Sequence, residues 1–297
     1  MENSLAVAVL AGLGAMLGWG FADFFAKKTI DRIGDLPSLV WAHIFGTSLF
    51  FGLALFNYAI TGHFVHIPDT LNVWLGLVFF GVLQMIVYWL VYKGFGKGQL
   101  AVLNPIFSSY SGLVALISII FFSEVLTGSI LAGLIAIFAG ILLMNLDIQG
   151  LKSKRLKIAP GLKEVAAAAI LAAIWTIFWD KFVHGHDFLA YAMLMYFFMT
   201  VAALIAAKKQ RTKLLPIKSD LWKFLFLIGL GETIAYLSIS LGFSKTTYTS
   251  VVAVISGSFA LPTVILAHFF LKERITRLQT LGIAAILVGI ILIALFS

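Results

Sequence analysis

Cysteine is absent from the 297 residues, which excludes a disulfide scaffold, a cysteine nucleophile and any thiolate metal site. Charge is scarce as well: Asp, Glu, Lys and Arg make up 11% of the chain and hydrophobic residues 61%, against about a quarter charged in a soluble domain. A water-soluble fold has no interior large enough for that apolar surface, so most of it faces lipid, and an all-α integral membrane protein of the cell (plasma) membrane is expected. Catalytic signatures are missing too. There is no His-Glu-x-x-His zinc helix, no phosphate-cradling Gly-Lys-Ser/Thr loop and no Gly-x-Ser-x-Gly elbow. Ser258 and His268 share one apolar run, but ten residues place them about 15 Å apart along a helix. No enzyme and no cofactor are expected.

What the chain does contain is long apolar runs. A helix needs about 20 such residues to cross a hydrocarbon core of about 30 Å, and ten runs qualify: 5–26, 38–60, 71–93, 99–122, 128–147, 160–180, 188–207, 221–243, 248–271 and 277–296. The first has no basic residue before it and is too long for a signal h-region, so it reads as a true span. The net charge of +8 is broken into short bursts between the runs, which excludes a groove-tracking basic face and hence nucleic acid as a partner. All 21 Lys and Arg except Lys181 and Lys245 fall on one side of the threading. The positive-inside rule makes that side cytoplasmic and puts both termini outside.

The chain repeats. At an offset of 148, Gly81, Tyr88, Gly94, Phe95 and Lys97 meet Gly229, Tyr236, Gly242, Phe243 and Lys245; at 149, Phe121, Glu124, Thr127, Gly133, Ala136 and Gly140 meet Phe270, Glu273, Thr276, Gly282, Ala285 and Gly289. The expected organisation is a first five-helix unit over 1–147, a basic linker over 148–159 and a second unit over 160–297. An odd number of spans per unit makes the second enter from the opposite side. The chain thus reads as ten transmembrane helices in two inverted five-helix repeats, an arrangement that places a binding site at the repeat interface near the bilayer midplane.

The stretch Phe121-Phe122-Ser123-Glu124-Val125-Leu126-Thr127 and its partner Phe270-Leu271-Lys272-Glu273-Arg274-Ile275-Thr276, each before a glycine-rich run, resemble the paired signature of EamA-type members of the drug/metabolite transporter superfamily. The approach from Tyr92 through Gly94 to Pro105 is similar to that family's fourth helix. The resemblance implies a ten-helix carrier of small organic molecules, often an exporter of amino acids or other metabolites. It also implies cytoplasmic termini, opposite to the reading from charge.

Ionisable groups inside spans mark function by default. Glu232 falls mid-span and is the expected site of proton coupling, with Gln84 as its repeat partner. Each is followed at i+4 by a tyrosine on the same face, Tyr236 and Tyr88, and the two faces are expected to converge on a central cavity. Trp19 and Trp175 are expected to wall that cavity. Asp23 shares a face with Trp19 and either touches substrate, caps its helix or pairs with Lys27. Asn104, Ser256 and Ser258, beside Pro105 and Pro262, complete the expected substrate site. Trp179 reads as interfacial belt, Asp180 and Lys181 as an interfacial pair, and His43 and His268 as isolated spacers. Glu124 and Glu273 are expected to steady the N-termini of spans five and ten. The small residues after them form either a contact between the halves or a homodimer face. The expected partners are a small-molecule substrate, the lipid bilayer and protons. An uncoupled facilitator or a non-transporting scaffold would use the same bundle; a carrier would have a hydrated cavity around Glu232, and a scaffold would be packed dry there.

Overall fold

A computed structural model describes residues 2–121, 124, 126–145, 160–272 and 275–295. The linker 148–159 and Glu273 lie outside the described residues. The helices are α1 (Glu2–Ile33), α2 (Asp35–Thr61), α3 (Leu71–Phe95), α4 (Leu100–Ser108), α5 (Tyr110–Phe121), α6 (Gly128–Asn145), α7 (Leu162–Val183), α8 (Phe188–Lys209), α9 (Ser219–Lys245), α10 (Thr249–Gly257), α11 (Ala260–Leu271) and α12 (Arg277–Leu295). Among the described residues nine stretches are long and apolar enough to cross a membrane, with Gly128–Met144 shorter. Large apolar side chains such as Leu55, Phe56, Phe79, Ile135 and Ile170 point outward. That outer surface suits lipid and would be untenable in water.

Local chemistry sets the ends. Gly34, at φ 90°, turns the chain from α1 into α2 in a single residue, a conformation that costs other residues steric energy. The Asp187 carboxylate accepts the backbone N–H groups of Leu189 and Ala190 at 3.0 and 3.1 Å, capping α8. Two expected spans are broken. The run 99–122 divides at Ser109 into α4 and α5, and 248–271 divides at Ser258–Phe259 into α10 and α11. Pro262 sits in the first turn of α11, where its missing N–H removes no helical bond. Ser108 Oγ meanwhile donates to the Pro105 carbonyl at 2.8 Å.

The halves interlock in matched pairs. Helix α1 packs on α9 and α10, while α7, its repeat mate, packs on α3 and α4; α2 packs on α9 while α8 packs on α3. Helices α6 and α12 close the bundle. A Cβ on Gly140 would lie 2.6 Å from the Gly282 carbonyl oxygen, and one on Gly133 would lie 2.7 Å from that of Gly289. The small-residue stripe is therefore consumed between the halves, which corrects the alternative of a homodimer face on it.

Glu124 corrects another expectation. It accepts from the Ser250 backbone N–H at 3.0 Å and from Ser250 Oγ at 2.7 Å, so it caps α10 of the other repeat instead of its own following helix. The first N–H groups of α10 have no partner within their own helix, and the Glu124 carboxylate supplies one from across the repeats. Glu124→Ala is expected to lower stability by about 1–2 kcal/mol. Burial pushes the Glu124 carboxyl above its ordinary value of 4.5. A raised acid adds stability that is complete below the ordinary value and is lost as pH rises through the folded one. The wild type's advantage over Glu124→Gln should accordingly be largest below pH 4.5 and shrink above it. Thermal unfolding of the two proteins in detergent across pH checks this.

Candidate functional site

At the repeat interface lies a narrow cavity, with room for about one water, lined by Trp19, Gln84, Tyr88, Phe107, Tyr110, Ala172, Trp175, Thr176 and Phe259. Helices α1, α3, α4, α5 and α7 and the break between α10 and α11 all contribute to it, so both halves build it. Trp19 stands edge-on to Tyr236 at 5.6 Å and to Phe259 at 6.1 Å between ring centroids. Trp175 stacks on Trp179 at 5.4 Å and meets Tyr236 edge-on at 6.0 Å. At these spacings the rings touch one another, and an organic guest enters only when they part.

Two polar groups of the lining are unpaired. Trp19 Nε1 and Gln84 Oε1 are buried without a hydrogen-bond partner. The other end of the Gln84 amide donates to Tyr236 Oη at 2.7 Å, so Gln84 and Tyr236 meet crosswise between the repeats, while Tyr236 itself stands outside the cavity lining. Trp175 has no such vacancy, because its Nε1 donates to the Phe80 carbonyl at 3.1 Å. An orphaned donor and an orphaned acceptor in one apolar chamber are a cost that a polar guest or water relieves.

Glu232 does not line the cavity. Its side chain is wholly buried; Tyr196 Oη donates to Oε2, Tyr92 Oη donates to Oε1 at 3.3 Å, and His43 Nε2 stands 3.7 Å from Oε2. The expected hydrated chamber around Glu232 is replaced by an aromatic shell, because Gly46 lets α8 and Gly229 lets α9 close in on α2: a Cβ on Gly46 would lie 2.5 Å from Tyr196 Oη, and one on Gly229 would lie 2.7 Å from the Ala42 carbonyl oxygen. His43 is thus a neighbour of Glu232 and no isolated spacer. His268, by contrast, lies exposed on α11.

The remaining expected residues divide. Asp23 is buried and accepts from Asn104 Nδ2 at 2.5 Å, joining α1 to α4 near the cavity. It does not pair with Lys27, whose ammonium reaches Asp31 and the Phe95 carbonyl, each at 2.8 Å. Ser256 Oγ donates to the Ala253 carbonyl at 3.0 Å and Ser258 Oγ to that of Val254 at 2.9 Å; both hydroxyl protons are spent on their own helix, and neither residue lines the cavity. Trp179 is fully buried, with Nε1 donating to Ser240 Oγ at 3.2 Å, and is core instead of belt. Asp180 does pair with Lys181, at 3.2 Å, and also accepts from Thr249 Oγ1 at 2.9 Å. Sequence reasoning missed Tyr92, Tyr196, Tyr110, Thr176, Phe107 and Phe259. Phe107, Tyr110 and Phe259 are aromatics beside a helix break, a signal that core residues share, while Tyr92, Tyr196 and Thr176 lie within unbroken helices and carry no such mark.

The EamA-like transporter family model matches residues 6–146 and again 160–295. A curated relative, the uncharacterized transporter YvbV of Bacillus subtilis (strain 168), is 33% identical over 167 residues, 54% of this chain and 50% of its own. The chain therefore spans about half the length of that relative. A solved crystal structure, 15% identical, superposes with a TM-score of 0.74 over 98% of each chain, a likeness of fold.

Proposed function

Because the chain belongs to the EamA-like transporter family, and is an integral multi-pass membrane transporter, we propose that it is a secondary active carrier that moves a small organic metabolite by alternating access. Trp19, Gln84, Tyr88 and Trp175 hold the substrate, and Glu232 takes the coupling proton. The observation that carries this reading is the inter-repeat cavity with its two orphaned polar atoms. It favours a guest with an apolar or aromatic face, an acceptor for the Trp19 N–H and a donor for the Gln84 carbonyl. No Lys or Arg is buried among the described residues, which argues against multiply phosphorylated substrates.

Access from either side requires the aromatic contacts at one end or the other of the cavity to part, and inverted repeats provide two equivalent ways of doing so. Tyr236 stands between the compartments: it holds Gln84 of the cavity and its ring lies 5.4 Å from that of Tyr196, a donor to Glu232. Substrate and proton thus act on one shared side chain. The basic end of the bundle, where Arg32 pairs with Asp220 at 2.7 Å and Lys97 with Glu164, is the cytoplasmic end in this reading.

The dry packing around Glu232 favours a second reading, a non-transporting scaffold, and uptake decides between them. Proteoliposomes are loaded with a pooled metabolite mixture with and without a pH gradient; a carrier moves at least one compound, and a scaffold leaves the pool unchanged. For a transported compound, Trp19→Phe is expected to keep the ring contacts and lose one hydrogen bond, about 1 kcal/mol or roughly fivefold in affinity. A competition assay against the same compound checks that value.

A further inference from the structure

His43 and Glu232 face each other in the core with no hydrogen bond between them. His43 Nδ1 lies 2.7 Å from the Leu39 carbonyl oxygen. A carbonyl only accepts, so Nδ1 carries a proton. In the neutral ring Nε2 is then a bare lone pair, and it is buried without a partner, 3.7 Å from Glu232 Oε2. A carboxylate opposite a neutral imidazole would set two acceptors against each other between two wholly buried side chains, an arrangement that one added proton converts into a hydrogen-bonded pair.

We propose that His43 and Glu232 together form one proton-binding site, a single exchangeable proton lying between Nε2 and Oε2 while the Leu39 carbonyl fixes the ring's tautomer. The surroundings are built to hold the pair in place. The Tyr196 ring stacks on His43 at 5.1 Å and 10°, and Tyr88 stands edge-on to it at 6.0 Å. The titratable groups that face the pair are Tyr196 from α8, Tyr88 and Tyr92 from α3, Tyr236 from α9 and Asp23 from α1. Tyr196 and Tyr92 donate to Glu232, and Asp23 is engaged by Asn104. None of them supplies a cation to compete with the imidazolium. With the proton the pair is neutral; without it a negative charge is left in an apolar core.

The pair also spans the repeats, since His43 is on α2 and Glu232 on α9, beside the Gly46–Gly229 approach. Gaining the proton draws these helices together, and losing it sets them in repulsion. This consequence rests on the carrier reading; the shared proton itself does not.

The test is ¹⁵N NMR of histidine-labelled protein in lipid, with His43 assigned by the signal that His43→Gln removes. The expected result is Nδ1 proton-bearing throughout, Nε2 proton-bearing or proton-shared in the wild type, and loss of that Nε2 proton in Glu232→Gln, where the ring becomes the neutral Nδ1–H form. A ring with bare Nδ1 and protonated Nε2, or a His43 signal unmoved by Glu232→Gln, overturns the proposal. The wild-type spectrum alone decides the tautomer should the variant fail to fold, and Tyr196→Phe, which removes a donor to Glu232 and keeps the stacked ring, should shift the shared proton. No transport is measured. A shared proton in a protein that moves nothing therefore sinks the carrier reading alone, and gradient-driven uptake without a shared proton sinks this proposal alone.

Discussion

Glu232→Gln is expected to abolish the response of uptake to an imposed pH gradient while leaving exchange of unlabelled for labelled compound in place. One pH unit across the membrane is worth about 1.4 kcal/mol per coupled proton, a tenfold accumulation. The wild type should therefore concentrate its substrate about tenfold per unit with one coupled proton, and the glutamine protein should only equilibrate it. The side chain keeps its volume in this exchange. Its remaining carbonyl still accepts from one of the two tyrosines that reach Glu232, so loss of coupling without loss of fold is the outcome. Tenfold accumulation by the variant would move the coupling site elsewhere, Asp23 being the next buried acid on α1. Equal uptake by both proteins at every gradient would identify an uncoupled facilitator.

Gly231→Val is expected to lose most of the folded protein. Gly231 precedes Glu232 at the crossing of α9 with α1, where a Cβ would lie 2.6 Å from the Gly18 carbonyl oxygen, and a Cβ on Gly18 would in turn lie 2.5 Å from the Gly231 carbonyl oxygen. The obstacle is backbone on both sides, so no rotamer change relieves it. Overpacking of this kind costs about 1–3 kcal/mol, occasionally more, and here the separation it forces would also pull Trp19 from Tyr236. Gly52→Val is the control: a Cβ there meets nothing within 4 Å, and the variant should match the wild type. Fluorescence-detected size-exclusion after heating ranks the three proteins. Equal stability of the valine variants would mean that the α1–α9 crossing is looser than its geometry.

The expected spans agree with the observed helices to within a few residues at most ends, because the cost of an unpaired backbone in lipid makes hydropathy and length nearly sufficient. What that signal leaves out is rotation about each axis. In water a helix shows its buried face by polarity; here Ile86 on α3 faces outward and Val87 is buried, both apolar, so nothing in the sequence marks which faces the core. The polar exceptions Gln84, Tyr88, Glu232 and Tyr236 were legible for that reason. Their partners were not. His43 and Glu232 are separated by most of the chain, and only the interlocking of α2 with α9 brings them together. Repeat symmetry suggested that Gln84 and Glu232 would share one cavity, whereas aromatic packing put Tyr236 between them and left Glu232 dry. Glu124 is legible as a helix-terminal acid, but its sequence neighbourhood points to the helix that follows it, whereas the fold brings Ser250, 126 residues further on, to its carboxylate.

Alternating access requires the cavity to open to each side of the membrane in turn. The natural lack of cysteine gives a silent background for single thiols, and Thr176, on α7 in the cavity wall, is close in size to cysteine. The measurement is the rate at which a membrane-impermeant thiol reagent modifies Thr176→Cys in sealed vesicles of known orientation, applied from one side and then the other. Alternating access predicts modification from both sides, each slowed by a transported compound. Modification from neither side, or from one side alone, would contradict it.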